Sequence, residues 1–340
     1  MKIALITDTH FGARGDSALF HEYFMKFYDN IFFPYLEENE ITTVIHLGDV
    51  TDRRKFINYN ILDGLKIGFI EKMRKYDTHF IVGNHDVYYK NTNRINSMEQ
   101  LFGDDFKVYT EATTINTGGI DVCLVPWINS DNLNQTTKHL KKTKATVALG
   151  HLELNGFEMM RGIKCEAGMD IKLFKKFDLT CSGHFHTKSN QGNIHYLGSP
   201  YEMYWNDCND AKGFHILDTE TLELDFIKNP HQLFHKIFYD ETREYKLSSF
   251  ANKYIKVVVK NKTDQYKFDV FVDSLYKAGV ADLSIVDETD FEFEEQSDVD
   301  TTKDTMSLLT SYIDNYEIDV DKNKLKSIMQ DLYVSAMRGE

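Results

Sequence analysis

The chain has 340 residues, of which 42% are hydrophobic and 27% charged, enough for about two domains with a buried core. Its 39 basic and 53 acidic side chains leave a formal charge of −14, which excludes a protein that grips nucleic acid through a broad basic surface of its own. Residues 1–235 carry −6 of that charge and residues 236–340 carry −8, so the last third is the more acidic part. The four cysteines, Cys123, Cys165, Cys181 and Cys208, form no CxxC pair and no disulfide framework, as expected of reduced thiols in the cytoplasm. No apolar stretch is long enough for a signal peptide or a membrane span.

In chain order, short apolar runs alternate with helical segments. Ile3–Ile6 ends in Thr-Asp-Thr-His, and a helix is expected over Ser17–Glu38, where Leu19, Phe20, Tyr23, Phe24, Phe27 and Ile31 recur at helical spacing. Thr43–Leu47 ends in Gly-Asp, Phe80–Val82 in Gly-Asn-His-Asp, Thr146–Leu149 in Gly-His, and Leu179–Cys181 in Ser-Gly-His-Phe-His. Segments 56–75 and 92–102 read as helical. This alternation predicts an α/β layered core whose strand ends converge on one rim. Ile194–Leu197, Phe214–Leu217 and Leu222–Ile227 read as further strands. Beyond Pro230, Tyr254–Val259 reads as a strand and Gln265–Ala278 as a helix, a small α+β unit. Residues 282–300 hold nine acids and no base and read as a solvated linker. Helices are expected over Lys303–Tyr312 and Lys322–Met337, the second with Leu325, Ile328, Met329, Leu332 and Ala336 on one stripe.

The strand ends carry the chemistry. In an extended segment, Asp8 and His10 point the same way, so a carboxylate and an imidazole can hold one ion; His184 and His186 repeat that spacing. After Gly48, Asp49 can bridge two cations or simply cap a helix. Asn84 can offer an amide oxygen to a metal while His85, facing another way, addresses substrate. Taken singly, Asp8-Thr-His10 and His151 read more readily as a turn and a structural histidine. Taken together, Asp8, His10, Asp49, Asn84, His151, His184 and His186 form an ordered set of oxygen and nitrogen donors suited to manganese, iron or zinc.

Asp8-x-His10, Gly48-Asp49-x-x-Asp52-Arg53, Gly83-Asn84-His85-Asp86, Gly150-His151 and Gly183-His184-x-His186 resemble the five signature motifs of the calcineurin-like metallophosphoesterases, over roughly residues 1–215. The resemblance implies a β-sandwich flanked by helices and a two-metal centre. One metal would take Asp8, His10, Asp49 and His186; the other would take Asp49, Asn84, His151 and His184. His85 would stand over the substrate as the catalytic, non-ligand histidine, with Asp52 orienting it and Arg53 contacting phosphate. The metals implied are two divalent ions, Mn²⁺ first and Mg²⁺ second.

Within that superfamily the chain resembles the SbcD-type DNA repair nucleases, and among them the bacteriophage recombination endonuclease subunits. The resemblance is carried by Gly198-Ser199-Pro200, the aromatic run after it, Lys212-Gly213 and the order of segments. Asp52 departs from the histidine that many archaeal and eukaryotic relatives carry there. The resemblance implies a nuclease domain at 1–235, a small capping and DNA-recognition unit at 236–285, an acidic linker at 286–302 and a helical region at 303–340. The last would bind an SMC-like coiled-coil ATPase that supplies much of the DNA grip. It also implies exonuclease action on duplex ends, endonuclease action on single strands, and a homodimer formed through 56–75 and 92–102, in the host cytoplasm if phage-encoded. Two readings compete: a phosphomonoesterase or nucleotide phosphodiesterase on the same scaffold, and a non-catalytic scaffold subunit.

Overall fold

The computed structural model describes residues 1–160, 162–287, 310, 313–314 and 321–338. The chain divides into two units, Met1–Gln232 and Leu233–Glu340.

In the first unit, Lys2–Ile6 is Lys-Ile-Ala-Leu-Ile, buried from its second residue onward, and Thr43–His46 is buried throughout. Apolar runs of this kind lack the alternation of a half-exposed strand and suit a sheet covered on both faces. They join a six-stranded sheet in the order Leu224–Lys228, Gly213–Asp218, Lys2–Ile6, Thr43–His46, Asp77–Ile81, Lys107–Tyr109. Its last four strands run parallel. The second six-stranded sheet has the order Ser189–Gln191, Ile194–Tyr196, Leu179–Gly183, Val147–His151, Ile120–Val125, Thr113–Thr117, with its four central strands parallel.

Ile3, Leu5, Ile45, Leu47, Ile81 and Leu217 of the first sheet pack against Val122, Leu124, Val147, Leu149, Leu179 and Cys181 of the second. This β-sandwich core is flanked by helices. Outside the first sheet lie Ala18–Phe27, a π-helical turn at Tyr28–Phe32, and Phe33–Glu38. Their aromatic face meets the sheet and the segment after it: Phe32 lies 4.9 Å from Phe214, and Phe24 stacks on Tyr201 at 3.8 Å. Helix Leu133–Lys142 contributes Leu140 to a cluster with Cys123, Val125, Ala148, Phe174 and Phe177 of the second layer.

The second unit is a three-stranded parallel sheet of Phe234–Asp240, Tyr254–Asn261 and Asp282–Asp287. Helix Gln265–Lys277 buries Phe268, Phe271 and Leu275 with Ile255, Val257 and Val259. Helix Lys322–Arg338 begins after Asp321, whose carboxylate accepts the Asn323 amide at 2.9 Å.

The structure corrects three expectations. Segment 92–102 is only half helical. Thr92–Asn96 is a strand paired with Val87–Tyr89, and the helix Ser97–Phe102 starts where the Asn96 side chain caps the Glu99 amide at 2.8 Å. The acidic run does not begin as linker: Asp282–Asp287 completes the parallel sheet, with Leu283 and Ile285 paired with Ile255 and Val257. The first unit ends at Gln232, not 235, since Phe234 is already registered against Tyr254. The expected linker at 288–302 and the helix at 303–312, apart from Thr310, lie outside the described residues.

Candidate metal centre

Five loops follow buried strands and meet at one rim. The first two are laced backbone to backbone: the amides of Thr9 and His10 both donate to the Asp49 carbonyl, at 2.9 and 3.1 Å. The Asp86 carboxylate fastens the third to the second. It accepts the amides of Asp49 (2.8 Å), Val50 (2.9 Å), Thr51 (3.0 Å) and Gly83 (3.0 Å). Gly48 makes this crossing possible, because a Cβ there would lie 2.6 Å from His151 Nδ1 and 2.8 Å from the Gly83 Cα. The first loop meets the fifth where the His184 amide donates to the Asp8 carboxylate at 3.0 Å.

Asp8, His10, Asp49 and His184 all adopt positive φ, at 53°, 41°, 56° and 86°. Non-glycine residues in that region are strained and persist only where their surroundings over-determine them, which is typical of functional sites.

The donor atoms gather into groups. One ligand atom each from Asp8, His10 and His186 lie within 4.8 Å of one another, as do those of Asp49, His151 and His184. Asn84 joins the second group: its Oδ1 lies 2.9 Å from His151 Nε2 and 2.8 Å from His184 Nδ1. The Asp49 carboxylate stands between the groups, with Oδ2 3.6 Å from His10 Nε2 and 3.3 Å from His151 Nε2. All seven donor residues named from the sequence therefore meet here.

The calcineurin-like phosphoesterase profile matches residues 1–188. The chain is 31% identical to exonuclease subunit 1 of Enterobacteria phage T4 over 99% of both chains. It is 28% identical to the SbcD component of the nuclease SbcCD of Staphylococcus epidermidis over a shorter stretch, 27% of this chain and 26% of that protein. The chain belongs to the calcineurin-like phosphoesterase family.

The donor set of this phosphoesterase fits a divalent cation on its own chemistry. His151 Nδ1 sits 2.7 Å from the Leu47 carbonyl, which only accepts, so Nδ1 carries the proton. A neutral His151 then aims the Nε2 lone pair at two oxygens, Asn84 Oδ1 and Asp49 Oδ2. That arrangement repels unless a proton or a metal ion lies between. His10 Nε2 and His186 Nε2 likewise face each other at 3.1 Å. Burial alone pushes His151 down, yet the Asp49 carboxylate raises it to about 9. Burial pushes Asp49 up, but His151 and His85 hold it well below the usual carboxylate range. Asp8 is raised by burial, with the Asp49 charge adding to the effect.

His85 stands beside these groups, its ring 4.7 Å from that of His10. Its Nδ1 is 2.6 Å from the main-chain carbonyl of Asp52, and the Asp52 carboxylate lies 3.4 Å from His10 Nδ1. Asp52 therefore meets His85 through its main chain. Arg53 is tied to Asp16 at 2.7 Å, and the neighbouring Arg54 reaches the third loop through the Asn84 carbonyl at 2.8 Å.

Three contributors escape a reading of the sequence. Asp86 lies inside one of the five motifs, but three of the four amides it accepts, those of Asp49, Val50 and Thr51, lie 35 to 37 residues earlier and no local signal reports them. Glu153 Oε2 lies 3.4 Å from His184 Nε2, and the Trp127 ring lies 5.1 Å from the His184 ring. Among the described residues, no helix is long and apolar enough to cross a membrane.

Proposed function

We propose that the chain is a DNA nuclease with two metal ions, of manganese type, acting as the nuclease subunit beside a coiled-coil ATPase. One observation carries this reading: the Asp49 carboxylate stands between two groups of donors, as a residue shared by two ions would. Asp8, His10 and His186 would hold one ion; Asn84, His151 and His184 would hold the other; Asp49 would serve both. When bound, such ions supply Lewis-acid charge for a phosphodiester and generate hydroxide from water near neutral pH.

The chain's own residues do the rest. The Asp52 carbonyl accepts a hydrogen bond from Nδ1–H of His85, so Nε2 is the nitrogen that would pass a proton to the leaving oxygen, from the imidazolium form of the ring. Glu153 and the Leu47 carbonyl hold the rings of His184 and His151 in their orientations.

The likeness to a phage exonuclease subunit supports DNA as the substrate. So does a local reversal of charge next to His85. Arg53 lies over Phe56 at 5.0 Å and Lys55 over Tyr88 at 5.8 Å, with Arg54, Lys90 and Arg94 nearby in the chain. Phe56 is 63% exposed and Tyr89 49%. Exposed aromatics interleaved with cations suit a nucleic acid strand. Exposed Ile67 and Ile95 support a homodimer through the segments named above.

The decisive assay compares cleavage of linear duplex DNA and of single strands in manganese and in magnesium, with and without the ATPase. Cyclic nucleotides and phosphoproteins serve as competing substrates. Manganese-dependent release of nucleotides from DNA is expected. Turnover of the competing substrates alone would overturn the reading.

A further inference from the structure

Beside the metal centre the first unit holds an open cavity of about 420 Å³, within the range of small-ligand sites. Trp127, Leu133, Leu152, Glu153, Leu154 and Met169 are among the residues that line it. Two of the lining segments are pinned together by the Met169 amide on the Glu153 carbonyl, at 2.8 Å, and the Asn155 amide on the Met169 carbonyl, at 3.0 Å. Trp127 is also held. Its amide donates to the Val82 carbonyl at 2.8 Å, and its own carbonyl accepts the side-chain amides of Asn93 and Asn132, each at 2.9 Å. The cavity therefore exists before any ligand arrives.

Two of its lining residues also touch the donor set. The Trp127 ring lies 5.1 Å from the His184 ring and 6.2 Å from that of His151, and Glu153 faces His184. A phosphodiester held by those donors carries its sugars and bases outward from them. A concavity with an indole wall and aliphatic side chains thus opens within one nucleotide's reach of the reacting phosphate.

We propose that this cavity is a nucleobase subsite, which takes the base of a nucleotide flanking the scissile phosphate against the Trp127 indole. The proposal rests on the nuclease reading above. Every base offers a π-face, so the subsite tolerates any sequence while demanding that the base be unstacked. It therefore favours single strands and frayed ends over intact duplex.

Trp127 and Trp205 are the two tryptophans of the chain, so Trp205→Phe leaves Trp127 as the sole reporter. The full chain in this background is titrated with a non-cleavable phosphorothioate single strand, and with the same strand made abasic beside its central linkage. The intact strand should quench Trp127 and bind about tenfold more tightly, the scale of one base stacked on an aromatic ring. Ala167→Phe fills the cavity from an exposed rim position, and Leu133→Ala trims an exposed wall. Ala167→Phe should erase the difference between strands and Leu133→Ala should shrink it, with binding of the abasic strand unchanged in both.

Equal binding and quenching by the two strands would overturn the subsite, as would a preference that survives Ala167→Phe. An occupant from a protein partner would produce that flat comparison. Equal cleavage of cleavable versions would remove the subsite and leave the nuclease reading standing. If neither strand is cleaved, the nuclease reading falls, and quenching by deoxyadenosine monophosphate over deoxyribose 5-phosphate still decides whether the cavity takes a base.

Discussion

At the scale of single residues, chemistry and stability separate cleanly. His85 is held at Nδ1 by the Asp52 carbonyl, outside the proposed ligand set. His85→Ala should keep metal content, measured by mass spectrometry, while turnover falls by about 10²–10⁴-fold. Normal cleavage by that variant would remove the role assigned to His85. His215 offers a different test. Burial first, with the Lys188 charge behind it, pushes this strand histidine from 6.5 to about 3. The unfolded chain therefore binds more protons between those values, and stability falls as pH drops below about 6.5. His215→Leu should be the more stable form at pH 5, by about 2 kcal/mol at 1.4 kcal/mol per pH unit, with the gap closing above pH 7 in urea unfolding. The donor residues were legible in the sequence because each follows an apolar run. Asp86 was not, because its meaning lies in four amides borrowed from two loops.

At the scale of elements, strands announced themselves by unbroken apolar runs and helices by period. Errors fell where the two signals overlap. Thr92–Asn96 carries too few apolar residues to choose a period, and only the Asn96 cap marks where the helix starts. Asp282–Asp287 was masked by its charge, although it pairs with a parallel neighbour and Leu283 packs against the core of that unit. Helix Lys322–Arg338 tests the partner proposal: Ile328 and Leu332 are 47% and 60% exposed on the stripe read from the sequence. An uncovered apolar stripe suits recognition by another helix. Changing both to aspartate should abolish capture of the ATPase in a pull-down while far-ultraviolet circular dichroism stays the same; retained capture would move the docking site elsewhere.

At the scale of the whole molecule, the charge of −14 and a polyanionic substrate pull against each other. The cationic and aromatic side chains of 53–56 and 88–94 are a small exception within an acidic chain. The subunit alone should therefore bind duplex DNA weakly, with affinity lost steeply between about 50 and 200 mM salt in a fluorescence anisotropy titration. Tight, salt-resistant binding without a partner would contradict the proposed division of labour.

The donors are also divided between the layers. Asp8, His10, Asp49 and Asn84 follow strands of one sheet, while His151, His184 and His186 end or follow strands of the other. Among the described residues, no strand pairing joins the two sheets. On the proposed ligand set, bound ions clasp the sandwich along one rim, and removing them leaves the strained loops there without that clasp. Metal scarcity then becomes a question of lifetime. A chain short of its ions offers proteases an opened edge, so the side chains that set its reactivity also set how long an idle copy survives.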